Sequence, residues 1–381
     1  MKILLVMGTR PEAIKLAPLA HGLRGRGHEV ALCFTGQHEE LVRPIYEWFE
    51  LSTEFTLETL ARGQSLTNLL SKTLDGVAGV IEKCQPEWVG IQGDTMTTVA
   101  GALASFLAGR KVFHVEAGLR TGDLQAPWPE EGNRKLVTQV TNMHFAPTLG
   151  ARESLIKEGV HPSSVLVTGN TVVDALLWSS KKLDTFSGAD VTRNYLGLRD
   201  RFILITGHRR ENLGRRFDTI FYAITLLADK YPGVDFVYPV HLNPAVQEAA
   251  RKVLGERNNI KLIEPLGYPE FVRLMRDSML IISDSGGIQE EAPSFGKKVF
   301  ITRDITERPE AIRYGLSELV GADESKLIEA VERELKSLLT GNAQQASPFN
   351  PYGDGKATER ILDSLDALNE GRELTVTPWG Y

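Results

Sequence analysis

Cysteine is scarce: Cys33 and Cys84 are the two in 381 residues, and neither sits in a CxxC spacing. That excludes a disulfide framework and leads to the expectation of a reducing compartment, the cytoplasm. Long apolar runs are missing too, since no stretch approaches the roughly 18 to 20 residues that a membrane span requires. The apolar start, Met1 to Met7, is interrupted by Gly8-Thr9-Arg10-Pro11-Glu12 before a signal-peptide core could form, so it reads as a first buried strand. Basic charge is not in excess. Lys plus Arg number 43 against 49 Asp plus Glu, a net charge of -6, which offers no general attraction to nucleic acid or an anionic membrane. Any anionic ligand must be met by local cations. The eight histidines form no HxxxH or HExxH pattern and no partnership with cysteine, so no metal site is expected. The three-glycine dinucleotide fingerprint and GxxxxGK[ST] are also absent, and no cofactor is predicted.

What is present is an ordinary globular composition, 42% hydrophobic and 24% charged, in a chain longer than one core usually supports. Short apolar runs alternate with amphipathic stretches, the rhythm of an α/β protein with parallel sheets. The pattern predicts strands at 2–7, 29–34, 88–92, 111–115, 144–146 and 165–168. A second series is predicted at 202–206, 235–239, 260–263, 280–283 and 298–302. The series divides near Gly169, giving a first domain over 1–168, a second over 169–355 and a C-terminal helix and tail over 356–381. The two halves echo each other: Gly8-Thr9-Arg10 and Gly207-His208-Arg209 each follow a strand, at the carboxyl end where open α/β sheets bind ligands.

Five constellations could carry chemistry. Gly8 to Lys15 is a strand-to-helix turn in which Pro11 suits the first helical position, and Arg10 and Lys15 could draw phosphate there or simply be solvated cations. Asp284 to Glu291 follows another strand; Ser285, Gly286 and Gly287 would let a backbone cradle approach an anion, with Glu291 as a ribose acceptor or a solvated helix residue. Asp94, Glu116, Glu130 and Glu131 are carboxylates after strands or a Pro-rich bend. Acids at a sheet edge need solvent or a partner, although Asp94 could instead cap the next helix, and one of the adjacent pair could bind Arg134. His208, Arg209 and Arg210, with His241, could clamp a diphosphate. Arg308, in Thr306-Glu307-Arg308-Pro309-Glu310, adds a cation whose structural partners could be Glu307 and Glu310. The combination suggests a diphosphate-linked donor held by the second half and acid–base chemistry from the first.

The strings GTRPEAIK (8–15), Thr35 to His38, Gln92 to Thr95, HVEAGLRTGD (114–123), Pro127 to Arg134, Thr168 to Thr171, Gly207 to Glu211, Ser285 to Pro293, Thr306 to Glu310 and Asn350 to Gly355 occur in order over nearly the whole chain. Together they closely resemble the bacterial non-hydrolysing UDP-N-acetylglucosamine 2-epimerases. The resemblance implies a GT-B architecture, two Rossmann-like parallel-sheet domains with a cleft between them, and a homodimer. It implies interconversion of UDP-N-acetylglucosamine and UDP-N-acetylmannosamine for surface polysaccharide, with neither nucleic acid nor membrane as partner. Arg10, Lys15, His208, Leu266, Phe271, Ser285, Gly286, Gly287, Glu291 and Arg308 fall on its nucleotide-sugar positions. Asp94, Glu116 and Glu130 fall on its catalytic carboxylates, with His208 beside them, and of the two adjacent acids the family pattern points to Glu130.

The hydrogen on sugar carbon 2 is not acidic, because the acetamido group does not stabilise a carbanion there. It becomes removable as the anomeric bond to UDP breaks, so the expected route is elimination to a 2-acetamidoglucal and readdition, with carboxylates as acid and base and cations on the leaving diphosphate. Gln37, Arg209 and His241 match positions associated with a second, activating UDP-N-acetylglucosamine in some members. Glu40 stands where those members carry glutamine, and Gly63 separates Arg62 from Gln64, so the arginine register differs. Tyr314-Gly315-Leu316 also departs from the family's small residue and threonine. A GT-B glycosyltransferase or a nucleotide-sugar sensor would share the cradle but leave the three carboxylates unexplained, and a hydrolysing epimerase would release free sugar.

Overall fold

The structure, a computed structural model, describes the whole chain except residues 37–38, 60, 62, 186–196, 208, 210–211, 256, 342–348, 375–377 and 381, and the side chains of 39–41. The chain forms two compact units, Met1–Ala175 with Tyr352–Tyr381, and Leu176–Pro351.

The first unit runs β1 (Lys2–Met7), α1 (Arg10–Gly25), β2 (Glu29–Phe34), α2 (Glu39–Trp48), β3 (Phe55–Thr56), α3 (Leu66–Cys84), β4 (Trp88–Gln92), α4 (Met96–Leu107), β5 (Lys111–Val115), α5 (Glu130–Thr138), β6 (Met143–Ala146), α6 (Leu149–Lys157) and β7 (Val165–Val167). The strands pair in parallel in the order β3-β2-β1-β4-β5-β6-β7. Their apolar runs are buried on both faces, as the absence of polar alternation predicts. Gly90 is required at the centre of β4, because a Cβ there would lie 2.3 Å from the Phe113 ring. The next helix, α7 (Thr171–Thr185), contains the division between the units, a few residues beyond the expected boundary at Gly169.

The second unit runs β8 (Phe202–Thr206), α8 (Arg215–Lys230), β9 (Asp235–Pro239), α9 (Pro244–Leu254), β10 (Ile260–Ile263), α10 (Tyr268–Asp277), β11 (Ile281–Ser283), α11 (Gly286–Glu291), β12 (Val299–Ile301), α12 (Glu310–Arg313), β13 (Ser317–Leu319) and α13 (Glu324–Leu339). Its parallel sheet is ordered β10-β9-β8-β11-β12-β13. Both sheets therefore reverse direction of winding at one place, between β1 and β4 and between β8 and β11. Those switch points are where a doubly wound sheet opens a crevice beyond its carboxyl ends.

The last helix, α14 (Ala357–Asn369), returns to the first unit and packs on α1. A Cβ on Gly22 would stand 2.5 Å from Leu362 Cδ1, so glycine admits the close crossing. Arg26 pairs with Asp363 and Asp366 along the seam. The amides of Ala357 and Thr358 at the helix start donate to Asp174, on α7, at 3.2 and 2.8 Å. This acid supplies the cap that Lys356, at the N-cap position, lacks. The strands β3 and β13 were not expected. Each is two or three residues at a sheet edge, too short and too polar for an apolar run to announce it. No described helix is long and apolar enough to cross a membrane.

Candidate active site

Beyond β1, Thr9 caps α1 in a capping box, and Glu12 answers it. The Glu12 carboxylate is buried, accepting from Gly8 N at 3.0 Å and Thr9 N at 2.7 Å, and from Thr95 Oγ1 at 2.6 Å and Thr98 Oγ1 at 3.3 Å. It thus ties the turn that carries Arg10 to the turn that carries Asp94. Burial raises its pKa above the ordinary carboxylate value, and hydrogen bonds from Thr95, Thr9 and Gly8 oppose that rise in part.

Asp94 follows β4 after Gly93, whose φ of 73° makes the tight exit. It is not the cap of α4; Thr95 is, accepting from Thr98 N at 3.2 Å. Asp94 Oδ2 instead binds the buried Arg134 through Nε at 2.8 Å and Nη2 at 2.7 Å, and its backbone carbonyl accepts from Asn133 Nδ2 at 2.7 Å. Under the same turn lies His114, buried in β5, with Nε2 2.8 Å from the Gly93 carbonyl. Burial pushes its pKa down to about 4, so the ring is neutral at pH 7 and Nε2–H donates.

Arg134 also separates the two adjacent acids. Its Nη1 reaches Glu131 Oε2 at 3.0 Å, and Glu131 is fully buried, accepting from the amides of Thr121 and Gly122 at 3.1 Å each. Glu131 is therefore the structural partner. Glu130, at the start of α5, has its Oε2 buried with no hydrogen-bond partner among the described residues.

Glu116 follows β5, next to β4 in the sheet, with Val115 opposite Gln92. Its φ is 66°, in the left-handed region that a residue with a Cβ enters at some cost. The side chain is buried, and Oε2 accepts from Lys15 Nζ and from Asn170 Nδ2, the latter at 2.7 Å. Lys15, expected at a phosphate, is thus paired with a carboxylate, while Arg10 is exposed at the first position of α1.

In the second unit Asp284 is buried and accepts from Arg209 N and Asn212 Nδ2 at 3.0 Å each, fixing the loops after β8 and β11 together. Ser285 holds the N-cap position of α11, yet its side chain makes no cap hydrogen bond. A Cβ on Gly286 would come 2.6 Å from Arg308 Nη1, whereas the space beside Gly287 is open except for Glu291 and Ser285 at 3.8 and 3.9 Å. Gly286 thus makes room for a guanidinium, a reason different from backbone approach by a ligand. Arg308 itself is buried, donating to Glu290 at 2.7 Å and to Glu307, which also binds Arg303 at 3.1 Å. The sequence suggested Glu307 and Glu310 as partners of this cation. Glu307 is one, joined by Glu290, and Glu310 Oε2 is buried without a hydrogen-bond partner among the described residues. Glu291 is not on a solvated surface; it is buried and accepts from the Tyr268 hydroxyl at 3.0 Å. Leu266 and Phe271 pack partly buried against the core of this unit. His241 is exposed, and its Nδ1 accepts from Asn243 N at 3.0 Å. Gln37, Arg62, His208, Arg210 and Glu211 lie outside the described residues.

The family profile described as UDP-N-acetylglucosamine 2-epimerase matches residues 22–366. The chain belongs to that family. The UDP-N-acetylglucosamine 2-epimerase of Escherichia coli (strain K12) is 45% identical over 372 residues, covering 96% of this chain and 98% of the relative. The Campylobacter jejuni enzyme is 43% identical over 375 residues, covering 96% and 97%. Among solved structures, the Neisseria meningitidis UDP-GlcNAc 2-epimerase bound to UDP-GlcNAc superposes with a TM-score of 0.91 at 42% identity, covering 96% of this chain and 99% of that one. The Methanocaldococcus jannaschii enzyme in complex with UDP-GlcNAc and UDP gives 0.85 at 34%, with the same coverage. The epimerase family, the isomerase class of activity and the two Rossmann-like domains of the GT-B fold, all expected from the motifs, are thereby shown.

Within this epimerase fold Arg134 was foreseen as a partner of one acid and Lys15 as a cation, but the other residues that hold the site were given no role. Glu12 was legible from the Thr9-to-Glu12 capping-box spacing. Asn133 and Asn170 stood inside quoted motifs without a role, and His114 had no local signal, since only the strand register brings it beneath Gly93.

Proposed function

We propose that this epimerase interconverts UDP-N-acetylglucosamine and UDP-N-acetylmannosamine by eliminating and re-adding UDP. A base takes the proton from sugar carbon 2 while the anomeric C–O bond breaks and its electrons leave with UDP, forming the C1=C2 bond of 2-acetamidoglucal. UDP oxygen then re-forms the bond to carbon 1, and an acid protonates carbon 2 from the opposite face. The carboxylates Asp94, Glu116 and Glu130 are assigned to the sugar, and Arg10, His208 and Arg308 to the departing diphosphate, with Ser285, Gly286, Gly287 and Glu291 on the nucleotide.

The observation that carries this reading is Glu116: a buried acid in a left-handed backbone position, held by Lys15 and Asn170 at the carboxyl end beside Asp94. Packing offers no reason for such a placement. Two buried, unpaired thiols fit a reducing cytoplasm, and the exposed Phe106, Leu107 and Leu136 of α4 and α5 (56%, 69% and 62%) fit a second copy of the chain in a homodimer. A place upstream of surface polysaccharide follows from the product. Because Glu40 and the Arg62 register depart from activated members, the rate should rise hyperbolically with substrate.

The test is turnover of UDP-N-acetylglucosamine in deuterated water followed by NMR. Intact UDP-N-acetylmannosamine labelled at carbon 2 is expected. Unlabelled product, free N-acetylmannosamine or no reaction would overturn the mechanism. Glu116→Gln should lower kcat by about 10²- to 10⁴-fold.

A further inference from the structure

The turn Thr168 to Thr171 holds Glu116 through Asn170 but takes no chemical part in the proposed reaction. Asn170 is buried and fully committed: Nδ2 donates to Glu116 Oε2 at 2.7 Å, Oδ1 accepts from Val172 N at 3.0 Å, and the backbone N–H donates to the Tyr352 carbonyl at 2.6 Å. Because Oδ1 is taken by a backbone donor, the amide can present only its Nδ2 to the carboxylate. Any tilt of this turn therefore moves a group that holds Glu116 Oε2.

What fixes the turn comes from the far end of the chain. The Thr168 carbonyl accepts from Arg360 Nη1 at 3.0 Å, and the Arg360 guanidinium is itself held by Asp354 at 2.8 Å through each of two nitrogens. The Trp379 ring lies 5.6 Å from that guanidinium, within cation–π range. Trp379 N–H donates to the carbonyl of Val167, the last residue of β7, at 2.8 Å. Gly169 has a φ of 84°, and a Cβ there would stand 3.2 Å from Gly353 Cα and 3.6 Å from Trp379 Cγ. So Tyr352, Gly353, Arg360 and Trp379 form a socket in which the turn is seated, with the indole as its outer wall.

We propose that Trp379 is a positioning residue for the Glu116 carboxylate, acting through the Thr168 to Asn170 turn and the side-chain amide of Asn170. The proposal rests on the reading of Glu116 as a catalytic carboxylate. Removing the indole admits water to the Arg360–Thr168 hydrogen bond, which weakens as the local dielectric rises. The Asn170 amide then loses its fixed direction, and Lys15 is left better anchored on Glu116 Oε2 than Asn170. The reacting geometry suffers while substrate affinity does not. A tail that merely anchors the chain end would instead change stability and leave kcat alone.

The experiment is a double-mutant cycle on the full-length protein, with Trp379→Ala, Asn170→Ala and the pair, and with Trp379→Phe as the conservative variant. Trp379→Ala is expected to lower kcat about tenfold with KM within about twofold, since small misplacements of a reacting group cost this much or more. Trp379→Phe keeps a ring over Arg360 and should restore kcat to within about twofold of the parent. In the Asn170→Ala background, Trp379→Ala should cost less than about twofold more, the non-additivity of residues acting on one group. If the alanine variant does not fold, Trp379→Leu carries the same expectation. An unchanged kcat, a rise in KM matching the fall in kcat, or full additivity would overturn the proposal. A separate Glu116→Gln arm distinguishes its basis: wild-type turnover there refutes the catalytic reading of Glu116, whatever the cycle shows.

Discussion

Two candidate acids of the first unit stand in front of cations, Asp94 backed by Arg134 and Glu116 by Lys15, while Glu130 keeps a buried oxygen with no partner among the described residues. In the second unit the order is inverted, for the candidate cation Arg308 is backed by Glu290 and Glu307, and Glu307 is shared with Arg303. Two arginines and two glutamates, all buried, make a set with no net charge. The first unit thus gives Glu116 a lysine and shares Arg134 between Asp94 and the structural Glu131, whereas the second surrounds its arginine with acids in a buried block whose donors keep a fixed direction. A buried block of this kind contributes placement more than stability, because desolvation offsets most of its Coulomb attraction.

The largest effect should come from breaking that block. Arg308→Met removes the cation that the buried Glu290 and Glu307 share and should cost about 3–5 kcal/mol in urea unfolding of the second unit. A change under 1 kcal/mol would show that water reaches the site and that the contrast with the first unit is false.

Acid should separate the units next. His114 and His144 face each other on β5 and β6, buried, and burial lowers their pKa values from 6.5 to about 4 and about 3. Both bind protons more readily when unfolded, so the stability they permit is present above pH 6.5 and is lost as pH falls towards 4, by roughly 3 kcal/mol each. The described histidine of the second unit, His241, is exposed. Thermal melts at pH 7 and pH 4.5 should show the first unit weakening first, and His144→Gln should flatten the slope. Equal losses in both units would refute this.

Asp174 works with the opposite sign and a smaller amplitude. Burial raises its pKa from 3.8 to about 6, against the pull of the α14 amides. Its neutral form is the one the fold favours, so this contribution of one group, set against two histidines, is whole below pH 3.8 and declines as pH rises through 6, by roughly 3 kcal/mol in all. The melting temperature of Asp174→Asn, measured against the parent from pH 4 to pH 7, should gain on it as pH rises. A constant difference would mean that the carboxylate stays solvated.

Most of the sheets was legible because doubly buried strands are written as unbroken apolar runs, and β1, β2, β4, β5, β8, β9 and β10 lie where those runs do. The edges β3 and β13 were not, since two or three residues with a polar neighbour carry no such run. The candidate site was legible as residue types at strand ends but not as partnerships. Lys15 and Glu116 are 101 residues apart, and Arg308 and Glu290 are 18 apart across a turn and a strand. Charge at a strand end predicts a ligand equally well whether or not another side chain has already taken that place. Glu130 and Glu131 show the same limit: adjacent and chemically identical, they differ in that one faces Arg134 and two amides while the other does not.

The capping of α14 by Asp174 bears on how the chain assembles as it is synthesised. The groove at Gly22 that receives Leu362, and the acid that starts the last helix, are both made long before the segment that fills them. The second unit is contiguous, so it has all its parts while the first still waits for its closing helix. The half made first is therefore the half finished last, and until residues 352–379 have been made, the turn that supports Glu116 has no socket.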